Sequence, residues 1–217
     1  MSFANRRDAG RRLAAALAGY RDKHPVVVAL PRGGVIVAVE IASALAAALD
    51  LLVVRKIGVP FQPELAMGAI VDGSEPTIVR NESVIRQARI QDREFSAICQ
   101  SEQAEIDRRR RLYLGGRSNI PLGGRVVIVV DDGIATGSTV KAALKAIRKQ
   151  RPQELVLAVP VAPPETLEEL GRDVDALVCL ESPFVFYSVG HFYDDFRQVS
   201  DAEVIAALET ADQNGPA

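Results

Sequence analysis

Short apolar runs recur along the chain and are separated by longer stretches with helical spacing. The runs are rich in Val, Ile and Leu and lie at 25–30, 50–56, 126–130, 154–161 and 175–180. Continuous apolar runs of this length predict strands buried on both faces of a parallel sheet. Between the runs, apolar residues three and four apart predict helices at 5–20, 35–49, 140–147 and 163–170. This alternation predicts a doubly wound, mostly parallel α/β sheet.

The most distinctive stretch is the apolar strand 126–130 with the polar loop that follows it. Asp131 and Asp132 end the strand, and a loop rich in Gly, Thr and Ser fills 133–139 before the next helix. Backbone amides and hydroxyls at a helix start favour a phosphate. The two carboxylates only accept hydrogen bonds when ionised, so they suit a diol or a metal-bearing ligand. The pattern therefore indicates a sugar phosphate, and neither GxxxxGK[ST] nor GxGxxG is present.

Two other strand ends carry charge and glycine. The strand 25–30 ends in Pro31-Arg32-Gly33-Gly34, where paired glycines allow a close approach of the backbone and the helix start favours an anion. The run 50–56 is predicted as one strand that ends in Arg55 and Lys56. Carboxyl ends of parallel strands meet at one edge, so we expect these cations beside the acid pair. Residues 57–64 have the composition of a loop.

Charge is otherwise concentrated on two helical stretches. In the predicted helix 5–20 we interpret Arg6, Arg7, Arg11 and Arg12 as a solvated face. The stretch 83–113 has a narrow apolar stripe and ends in four arginines, and we treat it as a helical insertion with solvated charges. A flap over the site or a subunit contact is the open alternative. Before it, 65–71 and 77–79 predict a hairpin around 72–74.

Composition is typical of a soluble globular protein. The 217 residues are 48% apolar and 25% charged, and the net charge of −2 offers no general attraction to nucleic acid. Cys99 and Cys179 are isolated, so no disulfide framework or zinc site is indicated. The charged start lacks the apolar core of a signal peptide, and no run is long enough to span a bilayer. We expect one cytoplasmic domain over 1–217, with no membrane or nucleic-acid partner.

At residues 131–139 the chain resembles the phosphoribosyl-pyrophosphate signature of type I phosphoribosyltransferases. The similarity covers the hydrophobic strand, the acid pair and the Ala-Thr-Gly-Ser-Thr that follows two residues later. The Arg-Gly-Gly turn is similar to the pyrophosphate loop of that family, which often holds a non-proline cis peptide. We expect such a bond between Pro31 and Arg32.

The resemblance implies transfer of 5-phosphoribose from phosphoribosyl pyrophosphate to a nitrogen acceptor in nucleotide salvage, with Mg²⁺ bound through donor oxygens. It gives catalytic roles to Asp131, Asp132, Arg32 and Lys56. It assigns the 5-phosphate to Ala135, Thr136, Gly137, Ser138 and Thr139. It assigns pyrophosphate to Arg32, Gly33, Gly34, Arg55 and Lys56.

The acceptor base is less determined. In the family a C-terminal hood stacks an aromatic residue on the base, and here 181–211 supplies the hood and final helix, with Phe186 or Tyr187 as the stacking residue. Plain core packing of these rings is the alternative. Ala135 replaces the aspartate of the hypoxanthine/guanine branch, and 57–64 lacks the Lys and His of the orotate branch. We also expect a homo-oligomer, most simply a dimer.

Two rival interpretations belong to other classes of protein. One is a regulator that binds phosphoribosyl pyrophosphate without turnover, although no DNA-binding appendage is visible in the sequence. The other is a receiver-like α/β domain that uses the acid pair for magnesium. That domain would need neither the Arg-Gly-Gly turn nor the aromatic segment at 183–197.

Overall fold

The structure is a computed structural model, and it describes residues 2–73, 76–115 and 117–214. The strands are β1 Val26–Ala29, β2 Ala48–Leu51, β3 Val54–Val59, β4 Gln62–Val71, β5 Thr77–Arg80, β6 Val126–Val130, β7 Glu154–Val161 and β8 Ala176–Glu181. The helices are α1 Arg6–Ala16, α2 Gly33–Leu45, α3 Glu82–Gln87, α4 Asp92–Leu114, α5 Ser138–Lys149, α6 Pro164–Gly171 and α7 Asp201–Asn214. Short 3₁₀ helices span Ala18–Lys23 and Val189–Phe192.

The predicted parallel sheet is confirmed. It has five strands in the order β2-β1-β6-β7-β8, and every neighbouring pair is parallel. The central strand β6 is buried at every position, with Val127 paired to Val26 on one side and Leu155 on the other. A strand covered on both faces has no reason to alternate apolar and polar residues, which explains its unbroken Val and Ile sequence.

Helices cover both faces of this sheet. Ile128 and Val130 point into a core shared with α1, α2 and α7, whereas Val127 and Val129 point into a core shared with α5. Successive strand residues point to opposite faces, so one five-residue strand serves both cores. The protein is therefore a doubly wound α/β fold, as predicted.

The run 50–56 is not one strand, and this prediction is wrong. The chain leaves the parallel sheet after Leu51, and β3 begins at Val54 in a separate antiparallel sheet of three strands, β3-β4-β5. The expected loop 57–64 is largely the β3–β4 hairpin, with Val59 paired to Gln62. The predicted hairpin between 65–71 and 77–79 is confirmed as β4 and β5, and Ser74 lies outside the described residues.

The helical insertion consists of two helices that pack on this second sheet. Its buried side chains, including Ile85, Phe95 and Ile106, form a core with Ile57 and Met67. The helical structure is interrupted between α3 and α4, where Arg89 takes a positive φ of 55°. Gln91 then caps α4 through a capping box with Glu94. The insertion thus has its own hydrophobic core and is more than a solvated arm.

The C-terminal segment returns to the start of the chain. Phe3 and Tyr193 are buried against each other, with ring centroids 5.3 Å apart, and Phe196 stacks on Tyr193 at 4.8 Å. Ser200 and Glu203 form a capping box that starts α7. None of the described helices combines the length and hydropathy needed to cross a bilayer.

The arginine run 108–111 is only partly solvated, which corrects the sequence interpretation. Arg110 Nη1 donates to both carboxylate oxygens of Asp72, each at 3.1 Å, and the Asp72 side chain is 2% exposed. Burial raises the pKa of Asp72, and Arg110 opposes that shift. This ion pair fastens the C-terminal end of α4 to the end of β4.

We expect Arg110→Leu to destabilise the protein strongly, because Asp72 would stay buried without its cation. Breaking a buried pair costs about 3–5 kcal/mol, and we expect the lower end since Arg110 is 21% exposed. Urea unfolding measures the change. Arg111→Leu, at an exposed neighbouring position, is the matched control and should shift the midpoint little. Equal effects of the two variants would contradict this account.

Candidate active site

The candidate site lies where the winding of the sheet reverses. Strands β1 and β6 are parallel neighbours, and the Leu30 amide donates to the Val130 carbonyl at 3.0 Å. The helix α2 after β1 packs on one face of the sheet, and α5 after β6 packs on the other. The loops after these two strands therefore diverge and leave a crevice between them, which is where open α/β sheets bind ligands.

The turn after β1 approaches the acid pair very closely. The peptide bond between Pro31 and Arg32 is cis, as expected from the resemblance. A Cβ placed on Gly34 would lie 2.9 Å from the Val130 carbonyl oxygen and 3.0 Å from Asp131 Cα. A Cβ on Gly33 would overlap the Asp132 carboxylate. Only glycine fits at both positions, so the structure brings the predicted anion turn and the predicted acid pair together.

The two acids are half-buried and are held by hydrogen bonds. The Asp132 amide donates to Asp131 Oδ1 at 2.9 Å, and Arg6 Nε donates to Asp132 Oδ2 at 2.6 Å. Burial raises the pKa of Asp131 well above its ordinary value, the charge of Asp132 adds to the rise, and Arg6 opposes it. Two carboxylates in such a place suit hydroxyl donors or a developing positive charge.

The loop 135–139 forms an open cradle at the start of α5. Gly137 has a φ of 71°, which favours glycine, and α5 begins directly after it at Ser138. The loop is anchored from behind, because Thr166 Oγ1 donates to the Ala135 carbonyl at 2.8 Å and the Ile134 amide donates to the Val161 carbonyl at 2.9 Å. Side chains of Ala135, Thr136 and Ser138 are exposed, Thr139 is half-buried and Gly137 is buried. This arrangement leaves the helix N-terminus accessible to an anion.

Arg32 connects the anion turn to the helical insertion. Its Nη1 lies 3.8 Å from Asp201 Oδ1 at the start of α7, and the Tyr113 hydroxyl donates to the same oxygen at 2.6 Å. Burial raises the pKa of Tyr113 to about 12, with Asp201 contributing. Tyr113 at the end of α4 therefore contacts Asp201, which also lies beside the predicted site residue Arg32. The sequence did not indicate this contact.

Arg55 and Lys56 do not end a strand of the parallel sheet, so the expected meeting of three parallel strand ends is wrong. Both lie within β3 and point to opposite sides. Arg55 Nε donates to Glu102 of α4 at 2.6 Å. Lys56 is exposed and lines a groove beside α5 together with Ser138, Lys141 and Lys145. Lys56 is thus near the phosphate cradle, whereas Arg55 faces the insertion.

The aromatic segment covers one side of the loop that begins with Asp131 and Asp132. Gly133 has a φ of 149°, and a Cβ there would overlap Val189. The Tyr193 hydroxyl donates to the Asp132 carbonyl at 2.6 Å, and burial raises the pKa of Tyr193. Phe186 is half-buried and stacks on Phe192 at 5.4 Å, whereas Tyr187 is 78% exposed and meets His191 edge-on. Of the two candidate stacking residues, Tyr187 has the freer ring.

Sequence reasoning missed three residues of the site. Arg6 was assigned to a solvated face and is instead 9% exposed against Asp132. Tyr193 and Thr166 hold backbone carbonyls of the acid loop and phosphate cradle from distant segments. Nothing local in the sequence marks these contacts, since each partner is at least 31 residues away.

The described residues contain no group of three or more His, Cys, Asp and Glu side chains that could hold a metal ion. Asp131 and Asp132 are the carboxylates placed at the crevice. A pair of this kind fits a metal ion that arrives with most of its oxygen ligands supplied by the substrate.

Comparison with known proteins decides the family. The family model of the phosphoribosyl transferase domain matches residues 4–195. The chain belongs to this family. The match includes the anion turn, the acid pair and the phosphate cradle, and it ends within the aromatic segment.

Two curated relatives and one solved structure are close to this family member. "Putative phosphoribosyl transferase MT0597" of Mycobacterium tuberculosis strain CDC 1551 and "Putative phosphoribosyl transferase Rv0571c" of strain H37Rv are each 46% identical over 209 residues. The aligned residues cover 96% of the chain and 47% of each relative, so the chain spans about half the length of the curated relatives it matches. The crystal structure of TT1426 from Thermus thermophilus is 40% identical, with a TM-score of 0.81 over 96% of this chain and 98% of that one.

We expect stability to fall between about pH 10 and pH 12 partly because of Tyr113. Its folded pKa of about 12 is above the ordinary value of 10.0, so its contribution is complete below pH 10 and is lost as pH rises to the folded value. A pKa shift of about two units corresponds to at most about 3 kcal/mol in the free energy of unfolding. Urea midpoints against pH should therefore fall less steeply in Tyr113→Phe.

Tyr187→Phe is the matched control, because that ring is largely exposed. Its curve should follow the wild type. A Tyr113→Phe curve as steep as that of the wild type would contradict the assigned hydrogen bond to Asp201.

Proposed function

We propose that the protein transfers 5-phosphoribose from phosphoribosyl pyrophosphate to a nitrogen of a nucleobase or related acceptor, releasing pyrophosphate. The observation that carries this proposal is the contact between the Gly33–Gly34 turn and the Asp131–Asp132 pair at the reversal of the sheet. The turn suits an anion, and the carboxylate pair suits the two hydroxyls of a diol. Their contact therefore matches a ligand whose diphosphate is attached directly to its ribose. Membership of the phosphoribosyl transferase domain family supports the reaction class.

The donor's 5-phosphate is assigned to the cradle 135–139. The amides at the start of α5 and the hydroxyls of Thr136, Ser138 and Thr139 supply donors there. Lys56 lies in the adjoining groove with Ser138, so its ammonium group would strengthen the hold on this phosphate. This position favours the 5-phosphate end over the pyrophosphate end for Lys56.

The ribose hydroxyls are assigned to Asp131 and Asp132. Each carboxylate accepts a hydrogen bond from a hydroxyl, which fixes the sugar above the end of β6. As the bond to pyrophosphate breaks, positive charge develops on the ribose ring, and nearby carboxylates stabilise it. Orientation of the donor between two fixed ends lowers the entropic part of the barrier.

The pyrophosphate is assigned to Arg32 and to the amides of Gly33 and Gly34. Donors already in place where negative charge develops contribute a few kcal/mol each. Arg32 must turn from Asp201, at 3.8 Å, toward the leaving group, and a contact of that length costs little to exchange. Arg55 would have to leave Glu102, so its role here is to hold α4 on β3.

Mg²⁺ is proposed as the cofactor, bound through donor oxygens. It would supply positive charge to the leaving diphosphate. The protein's own part is the carboxylate pair beside it and the amide turn.

The acceptor is proposed to bind under the aromatic segment, where Tyr187 offers an exposed ring and Phe186 supports the segment by stacking on Phe192. Ala135 has no side-chain group for a base proton, so the acceptor must lose that proton by another route. We also propose a homodimer and a cytoplasmic location.

We expect the wild-type protein to release pyrophosphate from phosphoribosyl pyrophosphate and Mg²⁺ with one member of a panel of purine and pyrimidine bases. A coupled pyrophosphate assay follows the release, and calorimetry gives donor affinity without any base. Donor binding without release by any base would instead favour a regulator that binds the donor.

The variant Asp131→Asn/Asp132→Asn should lose donor affinity by roughly tenfold to a hundredfold or more, because two charge-assisted hydrogen bonds are lost. Asp22→Asn, at an exposed residue just before β1, should bind the donor normally. Unchanged donor affinity in the double variant would contradict the assignment of the ribose.

A further inference from the structure

Arg6 is placed unlike the other arginines of α1. It is the first residue of that helix, and it is 9% exposed, whereas Arg7, Arg11 and Arg12 are exposed. Arginine is almost never buried without partners, because its charge must be compensated. The partners of Arg6 therefore indicate what this charge is for.

The guanidinium group of Arg6 makes three contacts with three different atoms or rings. Nε donates to Asp132 Oδ2 at 2.6 Å, and Nη1 donates to the Arg197 carbonyl at 2.9 Å. Its central carbon lies 3.8 Å from the centroid of the Phe196 ring. The planar fork is thus fixed by the aromatic segment and directed at one carboxylate oxygen.

This contact lies at the most crowded point of the candidate site. A Cβ on Gly33 would overlap Asp132 Oδ2 and lie 2.9 Å from Arg6 Nε. The ion pair is therefore in direct contact with the anion turn. Any rotation of the Asp132 carboxylate must break the bond to Arg6 or move the turn.

We propose that Arg6 is a positioning residue, which directs the Asp132 carboxylate at the donor ribose. The inference rests on the proposed function for the identity of the ligand. It assigns part of the site to α1, about 125 residues before the acid pair in sequence. Arg6 acts through Asp132, so its effect differs from that of a direct ligand of the donor.

Loss of the Arg6 guanidinium would affect the carboxylate of Asp132 more than its backbone. Asp132 Oδ2 would lose its contact with Arg6 Nε. The Asp132 carbonyl would still accept from the Tyr193 hydroxyl at 2.6 Å. The backbone of the acid pair should therefore stay in place while the Asp132 carboxylate loses its fixed direction.

The first measurement is donor affinity by calorimetry at a single pH. We expect Arg6→Gln to bind phosphoribosyl pyrophosphate with Mg²⁺ roughly tenfold more weakly than the wild type, because the Asp132 carboxylate is no longer directed at the ribose. Arg7→Gln is the control, because Arg7 pairs with Glu40 at an exposed position. A donor affinity of Arg6→Gln equal to that of the wild type would overturn the inference.

The second measurement is a double-mutant cycle with Asp132→Asn. If Arg6 acts through Asp132, then Arg6→Gln should change donor affinity by less than about twofold in the Asp132→Asn background. A merely structural role of Arg6 would give the same loss of affinity in both backgrounds, together with a lowered melting temperature. That result would also overturn the inference.

The two measurements separate this inference from the proposed function. A wild-type protein that binds no donor would overturn the proposed function and the inference that rests on it. Donor binding by the wild type, with no effect of Arg6→Gln or with equal effects in both backgrounds, would overturn the role of Arg6 alone.

Discussion

The site depends on the close approach of two loops that leave neighbouring parallel strands in opposite directions. Hydrogen bonding between β1 and β6 fixes the distance between the loops, and the lack of side chains at Gly33 and Gly34 allows them to touch. A methyl group at Gly34 would meet the backbone of Val130 and Asp131 and force the anion turn away, whereas one at Gly33 would displace the Asp132 carboxylate. The sheet therefore sets the spacing between the anion turn and the acid pair before any ligand arrives, which is the kind of preorganisation that lowers a reaction barrier.

That approach creates an electrostatic problem, since two adjacent carboxylates are enclosed at the end of a buried strand. Burial and mutual repulsion raise the pKa of Asp131, and Arg6 opposes the rise. The same arginine is held by Phe196 and by the Arg197 carbonyl, while Tyr193 holds the Asp132 carbonyl. The C-terminal segment thus does more than cover the crevice. It holds Arg6 in place, and it also contacts the backbone of the acid pair directly.

The insertion has a comparable double role. Its core with β3 and β4 makes it a folded unit, and the Arg55–Glu102 and Arg110–Asp72 pairs fasten it at two points. At its far end Tyr113 shares Asp201 with Arg32. Movement of Arg32 toward a diphosphate would therefore change the charge facing α4 and α7.

Much of the fold and the centre of the site could be predicted from sequence because their signals are local. The run Val126–Val130, the acids after it and the glycine-rich loops are contiguous, and the structure confirms each as a strand end or turn. The boundary at Leu52 and Val53 could not be predicted, since an unbroken apolar run hides the change from one sheet to another. Arg6 could not be placed either, because its partners lie near positions 132 and 196 and its own neighbourhood indicates an ordinary amphipathic helix.

The most direct test of the central claim is a crystal structure of the protein with phosphoribosyl pyrophosphate and Mg²⁺. The account predicts the 5-phosphate in the cradle 135–139, the ribose hydroxyls on Asp131 and Asp132, and the diphosphate on the amides of Gly33 and Gly34. A donor bound elsewhere, for example only in the lysine-lined groove beside α5, would contradict the assignment of the site. So would a diphosphate that leaves the Gly33–Gly34 turn without a ligand.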